Sequence, residues 1–407
     1  MAVIKPFMAV RPKDDLVRQV ASLPYDVLSS DEAKHAVESN PYSFLHVGKA
    51  EIDTNDTSGN NIYKKASENL KYMIDTGILV KENKPCLYAY RLIRNGHVQT
   101  GIAACTSIDE YLNGTIKKHE LTRTEKENER LKYIEYCGAQ TGPIYLTYSP
   151  NENIKEITEK ITQANPLYDF TSFGNVRHTV WKIDDVKTIN ELVENFKQVK
   201  NLYIADGHHR NAAAAKYAIE RRKYGDSDNE YNYCMSVMFP SDELEVLEYN
   251  RLVKDLNGLD TDSFFEKLSE KFYICPLNTD KPFHPLMPHQ FGMFLDGKRY
   301  MLTAAEGTVP NDTIGGLDVS ILQDYIFEPI LGITDTRNDS RISFMGGVRS
   351  LEELEKKALT ENYRLAFSLY PPEIKDIKEI ADEGKTVPPK STWFEPKLLS
   401  GLFIHIV

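Results

Sequence analysis

The chain has 407 residues, 41% hydrophobic and 10% aromatic, enough to fill a substantial core and, by length, to form two or three domains. Its net charge of −11 argues against a nucleic-acid or anionic-membrane partner, because affinity for either comes mainly from clustered Lys and Arg. No run approaches the ~18 apolar residues of a membrane span, and the opening Met-Ala-Val-Ile-Lys-Pro-Phe lacks a signal peptide's apolar segment, so a cytoplasmic protein is expected.

In chain order, the pattern predicts a strand over Val3–Phe7, a helix from Lys13 to Ser22, a turn at Pro24-Tyr25-Asp26 and a helix capped by Ser30-Asp31-Glu32. A strand over Pro41–Val47 and a polar loop over residues 50 to 60 precede a helix from Ile62 to Asp75 that closes at Gly77. Asn95-Gly96 between apolar runs is a hairpin signal joining Cys86–Leu92 to Val98–Ala104. Beyond Asn113 the chain turns polar and charged through a helix, then returns to a strand at Ile144–Tyr148. Two helices flank a strand near Val176–Ile183, and strands at Leu202–Ala205 and Tyr231–Phe239 bracket an alanine-rich helix over Ala212–Arg222. A helix at Thr261–Lys271 and strands at Gln290–Leu295 and Arg299–Thr303 belong to a further mixed unit.

The expected fold class is therefore α/β, mixed α+β, with domains over 1–250 and 251–373 and a tail over 374–407 that folds back on the first. The cysteines at 86, 105, 137, 234 and 275 lack Cys-x-x-Cys spacing. Buried thiols in a reducing compartment are expected, with no metal.

The most informative stretch is Leu202-Tyr203-Ile204-Ala205-Asp206-Gly207-His208-His209-Arg210. An apolar strand breaks at a glycine into two histidines and an arginine just as a helix begins. Unsatisfied N–H groups and the positive helix end favour an anion there, and Arg210 offers a fork that suits phosphate or carboxylate. The plainer reading makes Asp206 a helix cap and the histidines an incidental pair.

His119-Glu120, with Lys117, Lys118 and Arg123 nearby, is a candidate general base or magnesium ligand, or a solvated capping carboxylate. Lys385 and Pro388-Pro389-Lys390-Ser391-Thr392 group ammonium and hydroxyl groups on a stiff turn, without P-loop spacing. Gly346-Gly347, near Arg337 and Arg341, either admits a ligand to the backbone or forms a plain turn. Asp26 is either an exposed functional carboxylate or part of a turn.

Taken together, Pro24-Tyr25-Asp26-Val27, His119-Glu120-x-Thr122, Ala205-Asp206-Gly207-His208-His209-Arg210, Tyr249-Asn250-Arg251 and Pro388-Pro389-Lys390-Ser391-Thr392 resemble a prokaryotic family, domain of unknown function 1015. The Asp-Gly-His-His-Arg signature is also similar to that of free-serine kinases of the ParB/sulfiredoxin fold. That resemblance implies a ParB/sulfiredoxin-like catalytic core with an additional C-terminal α+β unit. It implies ATP-dependent phosphorylation of a small hydroxylated metabolite, with free L-serine the favoured acceptor and O-phosphoserine the product.

On that resemblance Asp206, His208, His209 and Arg210 match the phosphate motif, and His119-Glu120 matches the upstream catalytic pair. From the residues themselves, Asp206 is also expected to be catalytic, Gly207, Lys390, Ser391 and Thr392 to bind the nucleotide phosphates, and Asp26 and Arg123 to bind the acceptor. Mg2+ accompanies ATP or another nucleotide. The implied partners are a small-molecule substrate and a nucleotide, with no nucleic acid and no membrane, and a homo-oligomer is compatible with it. The rival readings are a ParB-like nucleotide switch without turnover and a metal-dependent hydrolase using His119, Glu120, His208 and His209.

Overall fold

The computed structural model describes residues 1–56, 58–225 and 229–407. The chain is a mixed α/β protein of two compact units, Met1–Leu244 joined by Pro396–Val407, and Glu245–Glu395. The expected boundaries at 250/251 and 373/374 thus differ from the observed ones. Residues 374–395 belong to the second unit, where Ile377 and Ile380 of the helix Ile374–Asp382 are in its core, and the short strand Trp393–Glu395 pairs with Glu245–Leu247. Only the last residues of the predicted tail return to the first unit.

The first unit is built on a nine-stranded sheet among the described residues. Its strands are β1 (Ile4–Lys5), β2 (Leu87–Arg94), β3 (His97–Ser107), β4 (Ile116–Lys117), β5 (Ile144–Tyr148), β6 (Tyr168–Thr171), β7 (Arg177–Ile183), β8 (Leu202–Asp206) and β9 (Tyr233–Pro240). The order is β4-β8-β5-β9-β3-β2-β7-β6, with β1 on β3. β2 and β3 form the predicted hairpin, and Asn95 and Gly96 both take positive φ, 51° and 84°, as a tight turn matched to strand twist requires.

Helices α1 (Ser30–Val37), α2 (Asn61–Asp75), α3 (Thr124–Cys137), α4 (Glu152–Ile161), α5 (Val186–Phe196) and α6 (His208–Arg222) complete this unit's principal elements. The core joins Leu87, Ile102, Leu146, Leu202 and Ile204 from the sheet to Ile154, Leu192, Ala213 and Ala214 from the helices. Alanine at those α6 positions removes side-chain bulk and lets the helix lie close to its neighbours.

Several local expectations fail for identifiable reasons. Pro41–Val47 is not a strand: the Asn40 and Ser43 side chains accept the amides of Tyr42 and Leu45, turning the chain into a short helix, Leu45–Gly48. The helix predicted over Lys13–Ser22 shrinks to Val17–Val20, because Ala21 is extended and Ser22 bridges to Ser400. Residues 50–53 form a 3-10 turn rather than a loop, and residue 57 of that stretch lies outside the described residues. Ser29, not Ser30, caps α1, through a reciprocal capping box with Glu32. Cys86, Cys105 and Cys234 are buried as expected, whereas Cys137 is partly buried and Cys275 is exposed, on the outward face of a strand.

The second unit holds a six-stranded antiparallel sheet, with a core of Phe264, Phe291, Phe327, Phe367 and Ile380. Its glycine pair is not a ligand approach. A side chain at Gly346 would meet the Trp393 ring at 2.5 Å, and one at Gly347 the Glu248 carboxylate at 2.6 Å. Arg337 and Arg341 are paired with Asp335 and Asp339 of their own loop.

Candidate active site

β8 is parallel to β4, with Leu202 opposite Ile116 and Tyr203 opposite Lys117, and antiparallel to β5. The C-terminal ends of β4 and β8 and the N-terminal end of β5 therefore meet at one edge. That brings together His119-Glu120, Asp206 to Arg210, and Gly142-Pro143. The convergence of carboxyl strand ends is the usual place for a ligand in an open α/β sheet. A register irregularity between Ile204 and Asp206 re-aims the last residues of β8.

Gly207 is the residue before α6, at φ 96°, and no side chain caps the helix. Asp206 is thus not the cap. Its Oδ2 lies 3.2 Å from Arg210 Nη2 and 3.9 Å from Lys397 Nζ, so two cations hold it. Arg210 Nη1 donates to the Pro143 carbonyl at 2.5 Å. The guanidinium expected to grip a ligand is engaged with the protein on both these nitrogens, tying α6 to β8 and to the 142–143 loop.

His119 is buried, and its ring meets that of His208 edge-to-face at a centroid distance of 4.6 Å. Burial pushes His119 down to about 4, against the opposing pull of Asp206 and of the Ile204 carbonyl. Burial also drives His208 well below its ordinary value, with the neighbouring His119 acting in the same direction. Both rings are therefore neutral at pH 7. His208 offers an anion a hydrogen bond but not the positive charge read from sequence.

His208 Nδ1 is 3.9 Å from Glu120 Oε2, and its Nε2 is buried with no hydrogen-bond partner among the described residues. Glu120 is partly exposed. Thr122 donates to Glu127, which pairs with Lys216 of α6, so the segment after Glu120 is anchored to the helix that carries the histidines.

The remaining predicted residues divide by location. Asp26 and Arg123 are exposed, Arg123 being the residue before α3. Lys390, Ser391 and Thr392 lie in the second unit. There Arg251 Nη2 donates to the Lys390 carbonyl at 2.9 Å, Ser391 Oγ donates to the Pro388 carbonyl at 2.6 Å, and Lys390 Nζ lies 5.4 Å from the Tyr249 ring centroid. The turn is thus fastened to the Tyr249-Asn250-Arg251 segment. Among the described residues no group of three or more His, Cys, Asp or Glu is placed to hold a metal ion, so the four-ligand hydrolase reading has no donor set here.

Sequence reading passed over Arg130, read as part of a charged helix, although it is buried between Tyr25 and Tyr133. A tyrosine three residues after Arg130 was the available signal. Among the described residues no helix is long and apolar enough to cross a membrane.

Among solved structures, the chain is similar to a free serine kinase in complex with AMP, with a TM-score of 0.35 and 13% identity over 75% of this chain and 87% of that one. It is similar to a conserved hypothetical protein from Pyrococcus furiosus, with a TM-score of 0.36 and 12% identity over 75% and 95%. C-terminally truncated SbnI from Staphylococcus aureus gives 0.35 and 12% over 73% and 85%. No functionally curated protein matches the sequence. A family match spans residues 4–320 and so most of the chain, and the protein belongs to the family described as protein of unknown function, DUF1015.

Proposed function

We propose that the protein is an ATP-dependent phosphotransferase that acts on a small hydroxylated metabolite, with free L-serine as the acceptor, on a ParB/sulfiredoxin-like core. The observation that carries this reading is the convergence of Glu120 with the uncapped start of α6, from segments far apart in sequence, at the ends of adjacent parallel strands. Phosphoryl transfer needs mainly positioning and stabilisation of phosphate charge, plus one group to take the hydroxyl proton.

In this scheme the α6 N-terminus and the His208 and His209 rings receive the phosphates. Arg210, fixed by Asp206 and Pro143, holds the turn in shape and adds positive potential. Glu120 takes the acceptor's proton as its oxygen bonds to the γ-phosphorus and the bond to the ADP oxygen breaks. Asp206, held by two cations, positions Arg210. Asp26 and Arg123 lie on the acceptor side. Mg2+ needs only one or two carboxylates when phosphates supply its other ligands, and the partly exposed Asp206 would hold it, leaving Glu120 for the proton.

The test is Glu120→Gln, with nucleotide binding and phosphoserine formation both measured. The expected result is retained ATP affinity with turnover reduced ~10²–10⁴-fold, since the amide keeps the shape but cannot accept the proton. Normal turnover would remove Glu120 as base. ATP binding by the unmodified protein with no turnover on any hydroxylated acceptor would favour the nucleotide-switch reading.

A further inference from the structure

Arg130 is a buried cation packed against two aromatic rings. Its guanidinium carbon lies 3.7 Å from the Tyr25 ring centroid and 4.1 Å from that of Tyr133, and its side chain is only 9% exposed. With two rings against it, the group has its edge left for polar partners. Nη2 pairs with Glu129, but Nε is buried with no hydrogen-bond partner among the described residues. Leaving such a donor unsatisfied costs ~1–3 kcal/mol, more when it is charged, so a folded protein seldom keeps one without a use. Glu129 compensates it incompletely, being 31% exposed and shared with Lys126 at 2.8 Å.

Arg130 and Arg210 line one cleft of the first unit, together with Tyr25, Thr141, Gly142 and Ser400. Burial pushes the Tyr25 phenol up to about 12, against the pull of both arginines, so its hydroxyl remains a donor at neutral pH. The cleft therefore presents the Arg130 guanidinium and several hydroxyls against the apolar walls of Ile134 and Ile144, with Arg210, held by Asp206 and the Pro143 carbonyl, adding positive potential. This is a setting for a small anion.

We propose that this cleft binds the carboxylate of the acceptor, with Arg130 as the residue that holds it, so that the substrates are hydroxy acids or amino acids rather than simple alcohols. The identity of the acceptor rests on the phosphotransferase reading; the anion site does not. A planar two-oxygen group matches the edge of a face-covered guanidinium, while the phosphates already have the α6 terminus. Glu129 is then a resident counter-ion that the incoming carboxylate partly displaces.

The experiment is calorimetric titration of the full chain with L-serine, D-glycerate, L-serinamide and AMP, alongside steady-state kinetics with ATP. The unmodified protein should bind L-serine and D-glycerate, and L-serinamide at least about 10-fold more weakly, because loss of a charge-assisted bond is worth that much. Arg130→Lys should weaken L-serine about 10- to 100-fold and leave AMP unchanged. Glu129→Gln, at a partly exposed position and with its melting temperature compared with that of the unmodified protein, should tighten L-serine several-fold, an effect that a purely structural arginine would not produce.

Equal L-serine affinity in Arg130→Lys, no tightening in Glu129→Gln, or failure of both carboxylates to bind the unmodified protein would each overturn the proposal. Weakened AMP with unchanged L-serine would reassign the cleft to phosphate. Carboxylate binding through Arg130 without ATP turnover would sink the kinase reading and leave the subsite standing. Serine phosphorylation with an unaltered KM for serine in Arg130→Lys would do the reverse.

Discussion

Gly207 decides the geometry of the site, since the chain must pass from strand to helix within one residue at φ 96°. A side chain there would also meet the Arg210 guanidinium at 3.2 Å. Gly207→Ala should therefore cost about 1–2 kcal/mol for the left-handed backbone and displace Arg210 from Asp206 and Pro143. Denaturant unfolding, with nucleotide titration of the same variant, is the check. Gly48→Ala, in a helical turn with nothing within 4 Å of the added carbon, is the stability control. The Asp206-Gly207-His208-His209-Arg210 run was legible in the sequence because its meaning is local: a glycine and polar residues between a strand and a helix. Arg130 was legible only in part: Tyr133, three residues on, points to it, but its burial also depends on Tyr25, which only tertiary folding brings to it.

At the scale of elements, β4 and β8 lie side by side and parallel, and this alone places His119 against His208. The neutral pair makes a pH prediction. His119 is lowered to about 4 in the folded chain from 6.5, so between those values the unfolded chain binds the proton and the folded chain does not. Its contribution is complete above pH 6.5 and is lost as pH falls toward 4, by roughly 3 kcal/mol. His119→Asn should accordingly show a shallower loss of stability than the unmodified protein between pH 7 and 5, measured by urea unfolding. Identical slopes would show that His119 titrates normally. The hairpin at Asn95-Gly96 was readable because the turn chemistry is carried by the two residues themselves; the Pro41–Val47 segment was misread because side-chain bonds from Asn40 and Ser43 overrode its strand propensity.

The whole molecule is two units with separate cores, and the second begins and ends on paired strands, Glu245 being opposite Glu395. Adjacent ends and a private core lead us to expect that residues 245–395 fold alone, with one cooperative transition by circular dichroism. That fragment should also become more stable as pH falls from 7.5 to 5. Burial raises the Asp318 carboxyl to about 7 even though it accepts the amides of His289 and Tyr370, so the folded fragment binds a proton that the unfolded chain, near 3.8, does not. The stabilisation is greatest below 3.8 and vanishes as pH rises through 7. Asp318→Asn should flatten the profile, and an unfolded or pH-independent fragment would refute this account.

By itself the sequence determined the α/β class, the hairpin, the alanine-rich helix and the identity of the motif residues. Each is encoded by neighbours a few positions apart, through hydrophobic period, turn chemistry or a strand-to-helix break. Only the tertiary structure decided that Arg210 engages Asp206 and Pro143, that the paired histidines are neutral, that Arg130 is buried, and that residues 374–395 join the second unit. Those outcomes depend on burial and on partners distant in the chain. Desolvation sets the charge of a histidine, and the register of nonadjacent strands sets which donor meets which acceptor; neither quantity exists until the chain has folded.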